Sequence, residues 1–152
     1  MKIAYLISAH TDATHLARLI GALDKDAEFF VHIDQKVDVE PFREAVKGAN
    51  VHFIEHRVNV VWGSYRQLEY QMALLHAARQ QGHYDYYVTL SGLDYPIWPA
   101  KKIFRYLEDY TPNELLQGID ISAQRIGSEP WHLYTRHRFL GTKPWKYGTL
   151  GS

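Results

Sequence analysis

The sequence predicts an α/β fold with a mostly parallel central sheet and helices on both faces. Short β-prone apolar runs alternate four times with stretches whose apolar residues recur at helical spacing. The runs are largely continuous, as in strands covered on both sides, rather than alternating as in a sheet with one wet face. Parallel neighbours need a crossover, and the helix between each pair of strands supplies it. With 152 residues the chain is long enough for one domain with a substantial core and too short for two comfortable ones.

The first strand is the run Ile3 to Ile7, and Ser8-Ala9-His10-Thr11 forms its exit. Thr11 or Asp12 then caps a helix in which Leu16, Leu19, Ile20 and Leu23 recur on one side. Phe29 to Ile33 is the second strand, ending in Asp34-Gln35-Lys36. Pro41 fits the first turn of a short helix carrying Phe42, Ala45 and Val46, with Gly48 as its end. Val51 to Ile54 is the third strand, followed by Glu55-His56-Arg57. Ser64 suits the N-cap of the longest helix, whose core-facing stripe is read as Leu68, Met72, Leu75 and Ala78, ending near Gly82. Tyr86 to Leu90 reads as a central strand. Ser91-Gly92 breaks it, Asp94 follows its carboxyl end, and Pro96 stops the ladder. Ile103, Phe104, Tyr106 and Leu107 indicate a further helix, and Glu114 to Gln117 a further short strand. After Gly118 aromatics and cations occur without periodicity, which reads as loop-rich structure.

Composition narrows the functions. Seventeen basic and seventeen acidic residues cancel, which argues against a nucleic-acid arm or a polybasic membrane patch. No apolar run approaches the roughly 20 residues of a membrane span, and no cleavable leader follows Met1-Lys2. With zero cysteines, disulfides, thiol nucleophiles and zinc-thiolate sites are excluded.

The glycine turn of a dinucleotide site is missing after the first strand, and a phosphate-cradling Walker loop is missing too. The strand ends instead offer His10, Asp34, Glu55 to Arg57 and Asp94, which the fold can gather into one crevice. Asp34 can accept two hydrogen bonds from a ribose diol or a uracil edge. Arg57 either forks onto a phosphate or pairs with Asp34, and Asp94 either serves a ligand or caps its own turn. Asp24-Lys25-Asp26 is the one Asp-x-Asp pair and reads as a solvated turn at the wrong end of the sheet. Among the nine histidines no pair sits at i, i+4 spacing in a His-Glu-x-x-His setting. Trp62 reads as a core plug before a helix, whereas Trp131, Trp145 and Tyr147 are able to stack on sugar rings.

Four segments in register, Ile3 to His10, Val31-His32-Ile33-Asp34, Val60 to Ser64 and Leu90-Ser91-Gly92-Leu93-Asp94-Tyr95-Pro96, resemble the core-2/I-branching β-1,6-N-acetylglucosaminyltransferase and peptide O-xylosyltransferase family. The resemblance covers roughly Lys2 to Leu107 well and the rest weakly. It implies a GT-A-like fold, a UDP-sugar donor, and inverting transfer of an N-acetylglucosamine- or xylose-class sugar to an acceptor hydroxyl. It implies a donor-binding core over residues 1–118 and the loop-rich start of an acceptor-side region over 119–152, with the C-terminal part of the fold missing. On the matched motifs, Ala9 and His10 line the nucleotide pocket, Asp34 holds the uridine, Glu55, His56 and Arg57 flank the base, and Asp94 lies by the donor sugar and diphosphate. A single carboxylate at Asp94 resembles the relatives that use no divalent metal, in which basic side chains neutralise the diphosphate. Arg136, Arg138, Lys143 and Lys146 have the chemistry, and Trp131 that of an acceptor contact, without a motif to assign them. The family's catalytic carboxylate follows a Gly-Ser-x-Trp-like segment and is expected beyond Ser152. The absence of anchor and cysteines resembles a bacterial-type cytoplasmic relative, at the inner face of a membrane, acting on a polysaccharide or its precursor. A non-catalytic nucleotide- or carbohydrate-binding module of the same layout is the alternative.

Overall fold

Strands β1 (Ile3–Ala9) and β2 (Glu28–Ile33) form the middle of a four-stranded parallel sheet in a computed structural model, which describes residues 1–110 apart from Asp24 and Ala49. Strand β3 (Val51–Phe53) pairs with the outer side of β2, and β4 (Tyr86–Ser91) with the outer side of β1, giving the order β3-β2-β1-β4. The described residues lie in the first of two units, Met1–Thr111. The expected strand at Glu114 to Gln117 lies outside them.

The two-residue period of a strand assigns the sheet's faces. Tyr5, Ile7, Phe29, Val31 and Ile33 enter a core shared with helix α1 (Ala13–Ala22), helix α2 (Glu40–Ala45) and helix α4 (Ala100–Tyr110). Ala4, Leu6 and Phe30 point the other way, onto Leu74 and Ala78 of helix α3 (Arg66–Gln81). Helices therefore cover both faces; the layout is the α/β one that the alternation predicts, and it is consistent with the GT-A-like fold that the resemblance implies. The chain steps from β1 outward to β3 with α1 and α2 on one face. It then returns with α3 on the other face to lay β4 beside β1, so the direction of winding reverses at β1.

Several local expectations change. Asp12, not Thr11, caps α1, its carboxylate accepting from the His15 amide at 2.8 Å. Helix α2 ends at Ala45, with Val46 rather than Gly48 at its C-terminal cap. Ser64 is one residue outside the assigned cap of α3, yet its hydroxyl accepts from the Arg66 amide at 3.2 Å and donates to the Val61 carbonyl at 2.7 Å. Strand β4 is at the edge of the sheet among the described residues, not at its centre, and Thr89 and Ser91 on it are exposed. The largest difference is in α3: Leu68 and Met72, expected to face the core, are 61% and 54% exposed, while Leu74 is buried. No described helix is long and apolar enough to cross a membrane.

Candidate functional site

In open α/β sheets ligands collect outside the carboxyl ends of the two strands that flank a reversal of winding. Here those strands are β1 and β4, and a cleft of about 390 Å³ opens there on the α3 side. Its floor is polar, made by Ser8 of β1 with Thr89 and Ser91 of β4, and His10 and Asp34 lie just past the ends of β1 and β2. Val60 and Trp62 form a wall, and α3 contributes Gln67, Tyr70 and Gln71. Trp62 is 74% exposed, so it is a rim residue and not the core plug its position suggested.

Asp34 is 5% exposed and held in place from several sides. Its carboxylate accepts from the Lys36 amide at 3.0 Å and pairs with the Lys36 ammonium at 3.3 Å. The same ammonium donates to the Val60 carbonyl at 2.6 Å, tying the cleft wall to the exit of β2. Arg57 strengthens that tie, donating to the carbonyls of Ile33 at 3.1 Å, Asp34 at 2.8 Å, and Val37. Its guanidinium is thereby spent on backbone, neither on a phosphate nor on the Asp34 carboxylate.

Beneath the floor is His32, fully buried on β2 and stacked on Tyr70 with ring centroids 5.0 Å apart. Its Nε2 accepts from the Val58 amide at 2.9 Å, and its Nδ1 lies 3.3 Å from the Ser8 hydroxyl. Burial is the main cause that pulls its pKa down from 6.5 to about 4, against the opposing pull of Asp34 and with smaller help from Arg57 and His56. The ring is neutral at pH 7.

The remaining residues proposed from the sequence are not brought to this cleft. Ala9 is 2% exposed in the core on the opposite face and packs on Gly92, where a Cβ would come within 2.5 Å of the Ala9 Cβ. Asp94 belongs to a tight turn: its carboxylate accepts from the Ser91 amide at 2.7 Å and its own amide donates to the Ser91 carbonyl at 3.0 Å. It borders a separate, apolar cavity of about 290 Å³ with Tyr95, Trp98 and Leu19. Its carbonyl is 3.1 Å from His15 Nε2, which fastens the turn to α1. Glu55 and His56 border a third groove, between β3 and α3; Glu55 pairs with Arg43 at 3.3 Å and His56 with Glu69 at 3.6 Å. Trp131, Arg136 and Arg138, together with Lys143 and Lys146, lie outside the described residues. The single crevice expected from the strand ends is thus divided among three, with His10 and Asp34 sharing one.

Sequence reasoning passed over Ser8, Tyr70, Gln71 and Ser91. Ser8 and Ser91 were visible as the polar ends of apolar strands, and Gln67, Gln71 and Leu74 recur at helical spacing. Among the described residues no three carboxylate or imidazole groups cluster as a metal site would require, and Asp26 borders a cavity with Lys2 and Gly82 at the other end of the sheet.

A family model described as Core-2/I-Branching enzyme matches residues 3–137. A curated protein named Xylosyltransferase, from Ciona intestinalis, is 25% identical over 123 residues, a match that takes in 77% of this chain. The chain spans 14% of the length of that relative. The family model takes in all four strands, the cleft between them and most of the 152 residues, and the chain belongs to the Core-2/I-branching enzyme family.

Proposed function

We propose that the chain is the donor-binding part of a glycosyltransferase, and that the cleft at the β1/β4 reversal takes the nucleotide of a UDP-sugar. The observation that carries this reading is the placement of buried Asp34 beside His10 and the polar floor of that cleft. A carboxylate held by Lys36 still has lone pairs for the imide N–H of uracil or a ribose hydroxyl. The family match supports transfer chemistry, and the relative named Xylosyltransferase supports a xylose-class sugar, with N-acetylglucosamine the alternative that the sequence resemblance implies.

In an inverting transfer the acceptor oxygen attacks the anomeric carbon, the bond from that carbon to the diphosphate breaks, and a carboxylate takes the hydroxyl proton. The base is left unassigned, since no described carboxylate in the cleft is placed for it. We read the reaction as metal-independent, with cationic side chains balancing the departing diphosphate. The bonding of the Asp94 carboxylate within its own turn supports that reading.

Calorimetric titration of UDP, with and without a chelator, tests the site. Asp34→Asn is expected to weaken UDP binding about tenfold, the worth of one charge-assisted hydrogen bond, with no effect of the chelator on the wild type. Equal binding by both proteins removes Asp34 from the site. Slow hydrolysis of a radiolabelled UDP-sugar by the full chain distinguishes a transferase from a binding module.

A further inference from the structure

The bonding of His32 decides which way the Ser8 hydroxyl faces. Val58 N–H donates to Nε2, so that nitrogen carries a lone pair, and in the neutral ring the hydrogen must be on Nδ1. Nδ1 lies 3.3 Å from Ser8 Oγ, and the only bond available there runs from the ring to the oxygen. A hydroxyl has one hydrogen. With its oxygen accepting from His32, that hydrogen turns away from the ring and is available to an acceptor in the cleft that Ser8 lines.

The ring cannot readily reverse this polarity. It is fully buried, stacked on Tyr70, and fixed at both nitrogens, one of them by backbone. A flip that placed hydrogen on Nε2 would set two donors against each other at Val58. A serine that donates to a neighbouring ring has no hydrogen left for a ligand; this one keeps its hydrogen, together with one lone pair, for the cleft.

We propose that Ser8 is a specificity-determining donor that reads the C4 carbonyl of the nucleobase, and that His32 is the positioning residue that keeps it a donor. This rests on the cleft being the nucleotide site. Uracil presents a carbonyl at C4 beside the N3–H, an acceptor next to a donor. Ser8 and Asp34 present the complement, a donor and an acceptor lining one cleft. Cytosine presents an amino group at C4 and a bare N3, so it gives the Ser8 hydrogen no acceptor and meets Asp34 acceptor to acceptor. A site built to hydrogen-bond one pattern rejects the other because its buried polar groups are left unpaired.

Two measurements on the full chain test the proposal. The first compares UDP with CDP in the wild type and in Ser8→Ala. The wild type is expected to favour UDP at least tenfold, and Ser8→Ala to lose about tenfold in UDP affinity and little in CDP affinity, narrowing the preference. An equal loss for both nucleotides would place Ser8 on the ribose or phosphates and overturn the proposal, as would no loss for either. The second, needing no variant and no ligand, reads the His32 ring by nitrogen-15 NMR at pH 7. Hydrogen on Nδ1 is expected, and hydrogen on Nε2 or a doubly protonated ring overturns the assignment. Failure of the wild type to bind UDP would overturn the donor-site reading and with it the role of Ser8, whereas UDP binding without preference over CDP overturns only the latter.

Discussion

Arg57 donates to three carbonyls on the segment leaving β2, so its removal leaves three part-buried acceptors without their donor. Arg57→Ala is expected to lower stability by about 2–3 kcal/mol in urea denaturation, and Arg57→Lys to restore little, because an ammonium cannot span the same fork. His32 gives a pH dependence of definite sign. Its folded pKa is below its unfolded value, so the unfolded chain takes up the proton first and stability falls as pH drops from about 6.5 toward 4. The full shift is worth about 3 kcal/mol. Denaturation at pH 7 and pH 4.5 should show His32→Gln losing less stability between the two than the wild type. At this scale residue types were legible and partners were not. His10 and Asp34 stood out as polar groups at strand ends, but nothing in Arg57 told that its bonds would go to backbone.

Helix α3 shows what periodicity can miss. Its inward face over the first turns is Gln67, Tyr70 and Gln71, polar because that stretch walls the cleft, and only then does it pass to Leu74 and Ala78. The apolar residues at helical spacing over those turns, Leu68 and Met72, lie about a quarter-turn away and are exposed. Leu74→Ala is expected to cost about 2–4 kcal/mol as a cavity in a fixed core. Leu68→Ala should change stability by less than about 0.5 kcal/mol, and the two are separated by chemical denaturation. Strands were more transparent: β1 and β2 are buried on both faces, and a continuous apolar run is the direct imprint of that burial.

The parallel sheet was legible in the whole chain because alternation of strand and helix admits few arrangements. The position of β4 was not, since a strand at the edge and one at the centre share the same apolar residues. The ladder from Ile3 and Tyr86 to Ser8 and Ser91 joins β4 to β1, and just past its end Gly92 closely approaches Ala9, with the Gly92 amide donating to the Ser8 carbonyl at 2.7 Å. A Cβ at position 92 would stand 2.5 Å from the Ala9 Cβ and 3.0 Å from its Cα. Gly92→Ala is expected to destabilise by about 2–3 kcal/mol, with the double change Gly92→Ala and Ala9→Gly recovering part of it, as thermal unfolding would show. Two distant stretches of chain thus share room for a single methyl group. Whichever of them carries it, the other must go without, so drift at either position is confined to steps that its counterpart has already made possible.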